Sequence, residues 1–132
     1  NPTPVAVLLL PVSSDAGRGV LCIRRGLVDG RGQLALPGGY VDFGESWQAA
    51  AARELIEETQ VRVSAADISL LDVHSAENGT LLVFATHPPL PASALPPFSP
   101  NDEITERGGG TAPTTLAGPR HTRVRDRWFP AG

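Results

Sequence analysis

Gly39-Tyr40-Val41-Asp42-Phe43-Gly44-Glu45-Ser46-Trp47-Gln48-Ala49-Ala50-Ala51-Ala52-Arg53-Glu54-Leu55-Ile56-Glu57-Glu58-Thr59-Gln60-Val61 is the stretch that decides how this 132-residue chain is read. Its second half is rich in Ala, Glu and Leu, which lose little on entering a helix, and Ser46 is a suitable N-cap. A helix is therefore predicted from about Trp47 to Thr59. At about 100° per residue, Glu54, Glu57 and Glu58 share one face of it, while Ala49, Ala52 and Ile56 give a small apolar face for packing on a sheet. Three carboxylates at i, i+3 and i+4 repel one another and gain nothing from helical pairing. Two readings follow from the residues alone. One is a solvated acidic face; the other is a seat for a hard divalent cation such as Mg²⁺ or Mn²⁺, which prefers carboxylate oxygens.

The flanks supply strands. Val5-Ala6-Val7-Leu8-Leu9-Leu10 reads as a buried strand stopped by Pro11, and Val20 to Arg25 as a second, with loop composition from Ser13 to Gly19 between them. Together they suggest a hairpin. Gly26 to Gln33 has the composition of an exposed loop. Leu34-Ala35-Leu36 is a short strand ended by Pro37-Gly38-Gly39, with extended chain resuming at Tyr40-Val41. Beyond the helix, Ile68 to His74 and Thr80 to Ala85 read as strands joined at Asn78-Gly79, a strong hairpin signal. Mixed strands around a central helix give an α/β or α+β class. From residue 87 to 120 prolines recur, Gly108-Gly109-Gly110 interrupts and apolar periodicity fades, so this span is expected to be irregular. A last short helix is expected over His121 to Phe129, with Val124, Trp128 and Phe129 facing the sheet.

Length and composition bound the rest. One domain, residues 1–132, suits the size, and 41% hydrophobic with 19% charged residues is ordinary for a globular chain. The net charge of -3 argues against a nucleic-acid surface. No apolar run is long enough to span a bilayer, and Val5 to Val12 lacks a basic leader. The single cysteine, Cys22, sits in an apolar run and reads as a reduced, buried thiol, consistent with a cytoplasmic home. His74, His87 and His121 show no ligand spacing and are assigned no chemistry.

The spacing Gly39, five residues, Glu45, seven residues, then Arg53-Glu54-Leu55-x-Glu57-Glu58-x-x-Val61 resembles the box of the Nudix hydrolases, G-x5-E-x7-R-E-U-x-E-E-x-G-U with U aliphatic. Six fixed glycine or polar positions match at strict spacing; the second glycine is replaced by Gln60. That glycine follows the helix as a left-handed cap, so Gln60 is expected to shift the cap without losing the site. Leu36 to Val41 also resembles the strand and turn that lead into the family's loop-helix-loop, and the likeness extends over about Val5 to Ala85. The resemblance implies a mixed β-sheet sandwiched by helices and a metal-dependent hydrolase that cuts a diphosphate linkage.

In that reading Glu54, Glu57 and Glu58 hold Mg²⁺ or Mn²⁺, with a carbonyl of Gly38 or Gly39 as a further oxygen. Arg53 orients Glu57 or Glu54. The general base is a glutamate of the box or a carboxylate on a later loop; Glu45 is a candidate base or an orienting group, and Glu103 and Glu106 lie in an acidic island, Asn101 to Arg107. Arg24 and Arg25 end a strand near the expected substrate groove and are candidates for a phosphate contact. Tyr40, Phe43 and Trp47 are candidates for stacking on a base, weighed against core packing or a plain surface role; Tyr40 and Gly38 are the substrate-side choices.

Outside the box, the proline that often marks ADP-ribose hydrolases and the tyrosine that marks diadenosine polyphosphate hydrolases are missing from their usual places. A nucleoside diphosphate derivative such as ADP-ribose or a nucleotide sugar is the expected substrate. The alternatives are a triphosphate such as an oxidised nucleotide, or a domain that binds nucleotides without cutting them. The partner is a small molecule in each case, and an edge strand leaves a homodimer open.

Overall fold

A strand that is apolar at every position has to be covered on both sides, and Val5 to Leu10 is covered on both. The computed structural model describes residues 3–15, 17–25, 34–100 and 104–110, with backbone alone for Arg25 and for 104–110. Within it β1 (Thr3–Leu9) is an inner strand of a four-stranded mixed sheet. It runs antiparallel to β5 (Gly38–Tyr40) and parallel to β7 (Thr80–Thr86), whose other neighbour is the antiparallel edge strand β6 (Ser69–Ser75). Side chains alternate along it. Ala6, Leu8 and Leu10 join the cluster under the helix, while Val7 and Leu9 join Val20, Cys22, Leu36 and Phe84 on the other face.

That other face is closed by a second sheet, in which β2 (Pro11–Ser14), β3 (Gly17–Arg25), β4 (Leu34–Ala35) and β8 (Leu90–Pro91) follow the order β4-β3-β2-β8. The expected hairpin of Val5–Leu10 with Val20–Arg25 does not form, because β1 and β3 belong to different sheets; β3 instead pairs with β2, with Ser14 opposite Gly17. Pro11 does not end the extended chain. It opens β2, the position in a strand where a missing N–H matters least, after a bend at the fully buried Leu10 that passes the chain from one sheet to the other. Cys22 is buried and forms no disulfide, as its apolar neighbours and its being the single cysteine imply.

The irregular reading of 87–120 is corrected at Ile104–Gly110. This segment forms β9, antiparallel to β3 with Val20 opposite Gly110 and Arg24 opposite Glu106. Its sequence, Ile-Thr-Glu-Arg-Gly-Gly-Gly, has no alternation to announce a strand; the pairing is supplied by β3, whose apolar register is already fixed. The expected loop Gly26 to Gln33 and helix His121 to Phe129 lie outside the described residues. Among the described residues no helix is long and apolar enough to cross a membrane.

The helix α1 spans Trp47–Thr59 as predicted, and Ser46 caps it by accepting the Ala49 N–H at 3.1 Å. Its packed face differs from the predicted one. Ala50, Ala51, Ala52, Leu55 and Thr59 are buried, whereas Ala49 and Ile56 are only partly so. Counting about 100° per residue, the buried arc therefore adjoins the acidic arc instead of opposing it. Glu54 and Glu58 stand at its margin, against β5.

Candidate active site

Two neighbouring glycines let other elements lie close on β5, Gly38 the strand β1 and Gly39 the helix. A Cβ at Gly38 would meet the Ala6 carbonyl and Val7 Cα; a Cβ at Gly39 would overlap the Glu54 carboxylate itself. The strand edge thus offers backbone where a side chain would otherwise stand. Glu58 uses it, accepting the Gly38 N–H at 2.9 Å.

The charges are organised around Arg53. Its Nε and Nη2 donate side-on to the two oxygens of Glu45, at 2.8 and 3.0 Å. Nη1 donates to Glu54 at 2.8 Å and more loosely to Glu57, at 3.3 and 3.4 Å. Nη2 also donates to the Tyr40 carbonyl at 3.0 Å and lies 3.5 Å from the Asp42 carboxylate. One planar guanidinium therefore ties the loop before the helix to two turns of the helix, which its fixed fork of donors suits and a lysine's point charge would not.

Electrostatics follow the geometry. Glu45 is held at a pKa of about 2, first by its hydrogen bond from Arg53 and then by the Asp42 N–H, which donates at 3.0 Å. Arg53 keeps its proton more firmly than usual, chiefly through Glu45. Glu54 is pushed above the ordinary carboxylate range, mainly by burial, with the Glu57 charge adding to the effect and Arg53 opposing it. Glu57 and Glu58 sit in the last turn, where the partial negative charge of the helix end adds to their own. Among the described residues no three His, Cys, Asp or Glu side chains are grouped closely enough to form a ready ion cage. Glu54 leans on Arg53, Glu58 on the Gly38 N–H, and Glu57 faces outward.

The expected site residues thus divide. Arg53, Glu45, Glu54, Glu57 and Glu58 come together, with Gly38 and Gly39 beneath them. Tyr40 contributes its carbonyl to Arg53, while strand alternation turns its ring to the face of β5 opposite Gly39. Arg24 belongs to the other sheet, on β3, and Glu106 lies opposite it on β9, so from Ile104 onward the acidic island is strand and not loop. The side chains of Arg25 and Glu106, and all of Glu103, lie outside the described residues. Glu45 has both oxygens committed to Arg53 and is too weak a base at a pKa of about 2 to take a proton near neutrality.

The model of the NUDIX domain family matches residues 2–107. The chain belongs to that family. Solved structures agree on the fold. A MutT/Nudix family protein from Enterococcus faecalis superposes with a TM-score of 0.71 at 25% identity, over 83% of this chain and 43% of that one. This chain therefore spans less than half of that protein. A MutT Nudix hydrolase from Burkholderia pseudomallei gives 0.71 at 23% identity, over 97% and 98% of the two chains. The Nudix domain of Shewanella oneidensis NrtR, solved with ADP ribose, gives 0.66 at 20%, over 83% and 72%.

Within the Nudix pattern the one departure is resolved locally. Gln60 adopts the left-handed conformation itself (φ 63°, ψ 10°), so the cap is not shifted. The strain is on the order of 1 kcal/mol for a side chain in this region. Its N–H donates to the Ile56 carbonyl at 2.9 Å, and its side-chain oxygen accepts the Ser99 N–H at 2.9 Å, a contact that glycine could not make. Two contributors escaped the sequence reading. Asp42 had a signal, an acidic residue three before Glu45; the Tyr40 carbonyl, a backbone atom, had none.

Proposed function

We propose that this Nudix domain hydrolyses the diphosphate linkage of a nucleoside diphosphate derivative such as ADP-ribose or a nucleotide sugar, releasing a nucleoside monophosphate. The observation that carries the reading is the Arg53 clamp, which keeps Glu45, Glu54 and Glu57 together although each repels the others. A merely solvated acidic face needs no such clamp. Nudix hydrolases generally work with divalent ions, and the donor set here fits one. It is all oxygen, it includes the half-buried Glu54 carboxylate, and Gly39 has no Cβ to push that carboxylate aside. Glu54, Glu57 and Glu58, with a Gly38 or Gly39 carbonyl, are the residues that would hold Mg²⁺ or Mn²⁺; the ion, when bound, neutralises the diphosphate and makes a water more acidic.

The chain's own part is orientation and proton handling. Arg53 stays protonated and fixes the carboxylates; Glu45 positions Arg53. Glu57, with 56% of its side chain exposed and only long bonds to Arg53, is the carboxylate free to accept the proton of the attacking water. Water adds to one phosphorus, the bridging P–O bond breaks, and the leaving phosphate carries away the electron pair. Arg24 is our candidate for a contact to a substrate phosphate, and the reaction is assigned to the cytoplasm. The substrate class has support from likeness alone, in the ADP ribose bound by the Shewanella domain.

The test is incubation with Mg²⁺ and a panel of nucleoside diphosphate derivatives, with products identified by chromatography. A nucleoside monophosphate should appear only with the metal and be lost in Glu57→Gln. Undiminished turnover in that variant would remove the helix from the chemistry. Binding without cleavage would mark a nucleotide-binding domain.

A further inference from the structure

Among the described residues the exposed aromatic side chains are Tyr40 and Phe43, and both come from the short segment that leads from β5 into the Arg53 clamp. Tyr40, 62% exposed, turns its ring to the opposite face of β5 from Gly39. Phe43 is different. It is fully exposed and belongs to no core cluster, while the backbone that carries it is hydrogen-bonded on both sides. The Glu45 N–H donates to the Asp42 carbonyl at 3.0 Å, and the Asp42 N–H donates to the Glu45 carboxylate at 3.0 Å. Phe43 and Gly44 are the two central residues of this turn, with Gly44 at φ 81°, the positive value that a type II turn requires there. The same Glu45 carboxylate is doubly bonded to Arg53, and Asp42 lies 3.5 Å from it. Phe43 is therefore one or two residues, about 4–8 Å of chain, from groups that touch the clamp.

An exposed phenylalanine on a floppy loop would collapse onto apolar surface. One displayed on a turn stapled at both ends keeps its face in water at a standing hydrophobic cost, and a flat partner relieves that cost without ordering the loop first. We infer that Phe43 is a stacking platform for the base of the substrate, and that the domain discriminates in favour of base-bearing diphosphates over base-free ones. The inference rests on the reading of the Arg53 cluster as the diphosphate site, which puts the base on the adjoining loop. Arg53 itself is engaged with carboxylates, so selection among substrates falls to groups beside the clamp. Stacking of a base on an aromatic ring is sequence-tolerant, so Phe43 selects for the presence of a base and not for its identity.

The test compares two products of diphosphate cleavage that differ only in the base, AMP and ribose 5-phosphate, as ligands in calorimetric titrations. The wild type should bind AMP about tenfold more tightly than ribose 5-phosphate. Phe43→Ala should close that gap by weakening AMP alone, Phe43→Trp should keep it, and Val73→Ala, on the far edge strand, should leave it unchanged. An absent gap in the wild type, or a gap that survives Phe43→Ala, overturns the inference. Because neither ligand is cleaved, the gap reports on Phe43 whether or not the hydrolase assay succeeds. Turnover with no gap would spare the hydrolase reading and sink this one.

Discussion

The two edges of the first sheet handle charge and apolar surface in opposite ways. At the β5 edge, five acidic residues (Asp42, Glu45, Glu54, Glu57 and Glu58) are packed around one arginine and two glycines, and each of the glutamates has a hydrogen-bond partner. At the β6 edge Asp72 and His74, two apart on the same strand, stand 3.1 Å from one another in an ordinary surface pair, and Leu70 and Val73 are exposed. The first edge concentrates like charge and organises it; the second leaves its residues in the dispersed state typical of a surface. Concentrated charge held in place against its own repulsion is the signature of a site, and isolated exposed aliphatics are not.

If this contrast is sound, substitutions should rank by edge. Arg53→Ala should have the largest effect, lowering turnover about 100-fold as the carboxylates lose their orientation. It should also lower the melting temperature, since Glu45 and Glu54 lose their counter-charge. A wild-type rate in this variant would mean the clamp is ornamental. Gly39→Ala comes next. Its methyl overlaps the Glu54 carboxylate, so about 2 kcal/mol of stability should be lost in denaturant titration, together with activity.

Acid titration gives a subtler readout. The folded pKa of Glu45 lies at about 2, below the ordinary 4.5, so its contribution to stability is complete above pH 4.5 and is lost as pH falls through 2. In Glu45→Gln the stability curve should be flatter over that acid window, a comparison that urea titrations at several pH values would make. The smallest effect belongs to the other edge. Val73→Lys on β6 should change stability by less than about 0.5 kcal/mol and leave turnover alone. A large loss there would show that the β6 face is covered by something.

What could be read from the sequence follows the same division. The helix bounds, its Ser46 cap and the β6–β7 hairpin were legible because local chemistry sets them: a cap, a run of helix formers, an Asn-Gly turn with Gly79 at φ 87°. The cluster of Glu45, Arg53, Glu54, Glu57 and Glu58 was legible because its spacing is a helix's own. Local chemistry does not contain tertiary choices. Leu55 and Ala51 won the packed face over Ile56 and Ala49 because Gly39 lets the helix settle toward β5. Strand β9 exists because β3 offers an edge, and nothing in Ile104 to Gly110 foretells it. Likewise Arg24 proved to be a residue of the second sheet, a placement that depends on the chain crossing at Leu10.

Thr59, the last residue of the helix, is fully buried. Its hydroxyl donates to the Leu55 carbonyl at 2.6 Å and accepts the Val61 N–H at 3.2 Å. A helix end is ordinarily where hydrogen exchange begins, because its final turn opens and closes without disturbing the rest. Here that turn carries Glu57 and Glu58, and a single buried oxygen latches both the turn and the chain leaving it. Exchange at the amides of the last turn should therefore run as slowly as in the middle of the helix. Slow opening would keep the two carboxylates in register with the strand on the time scale over which a ligand comes and goes.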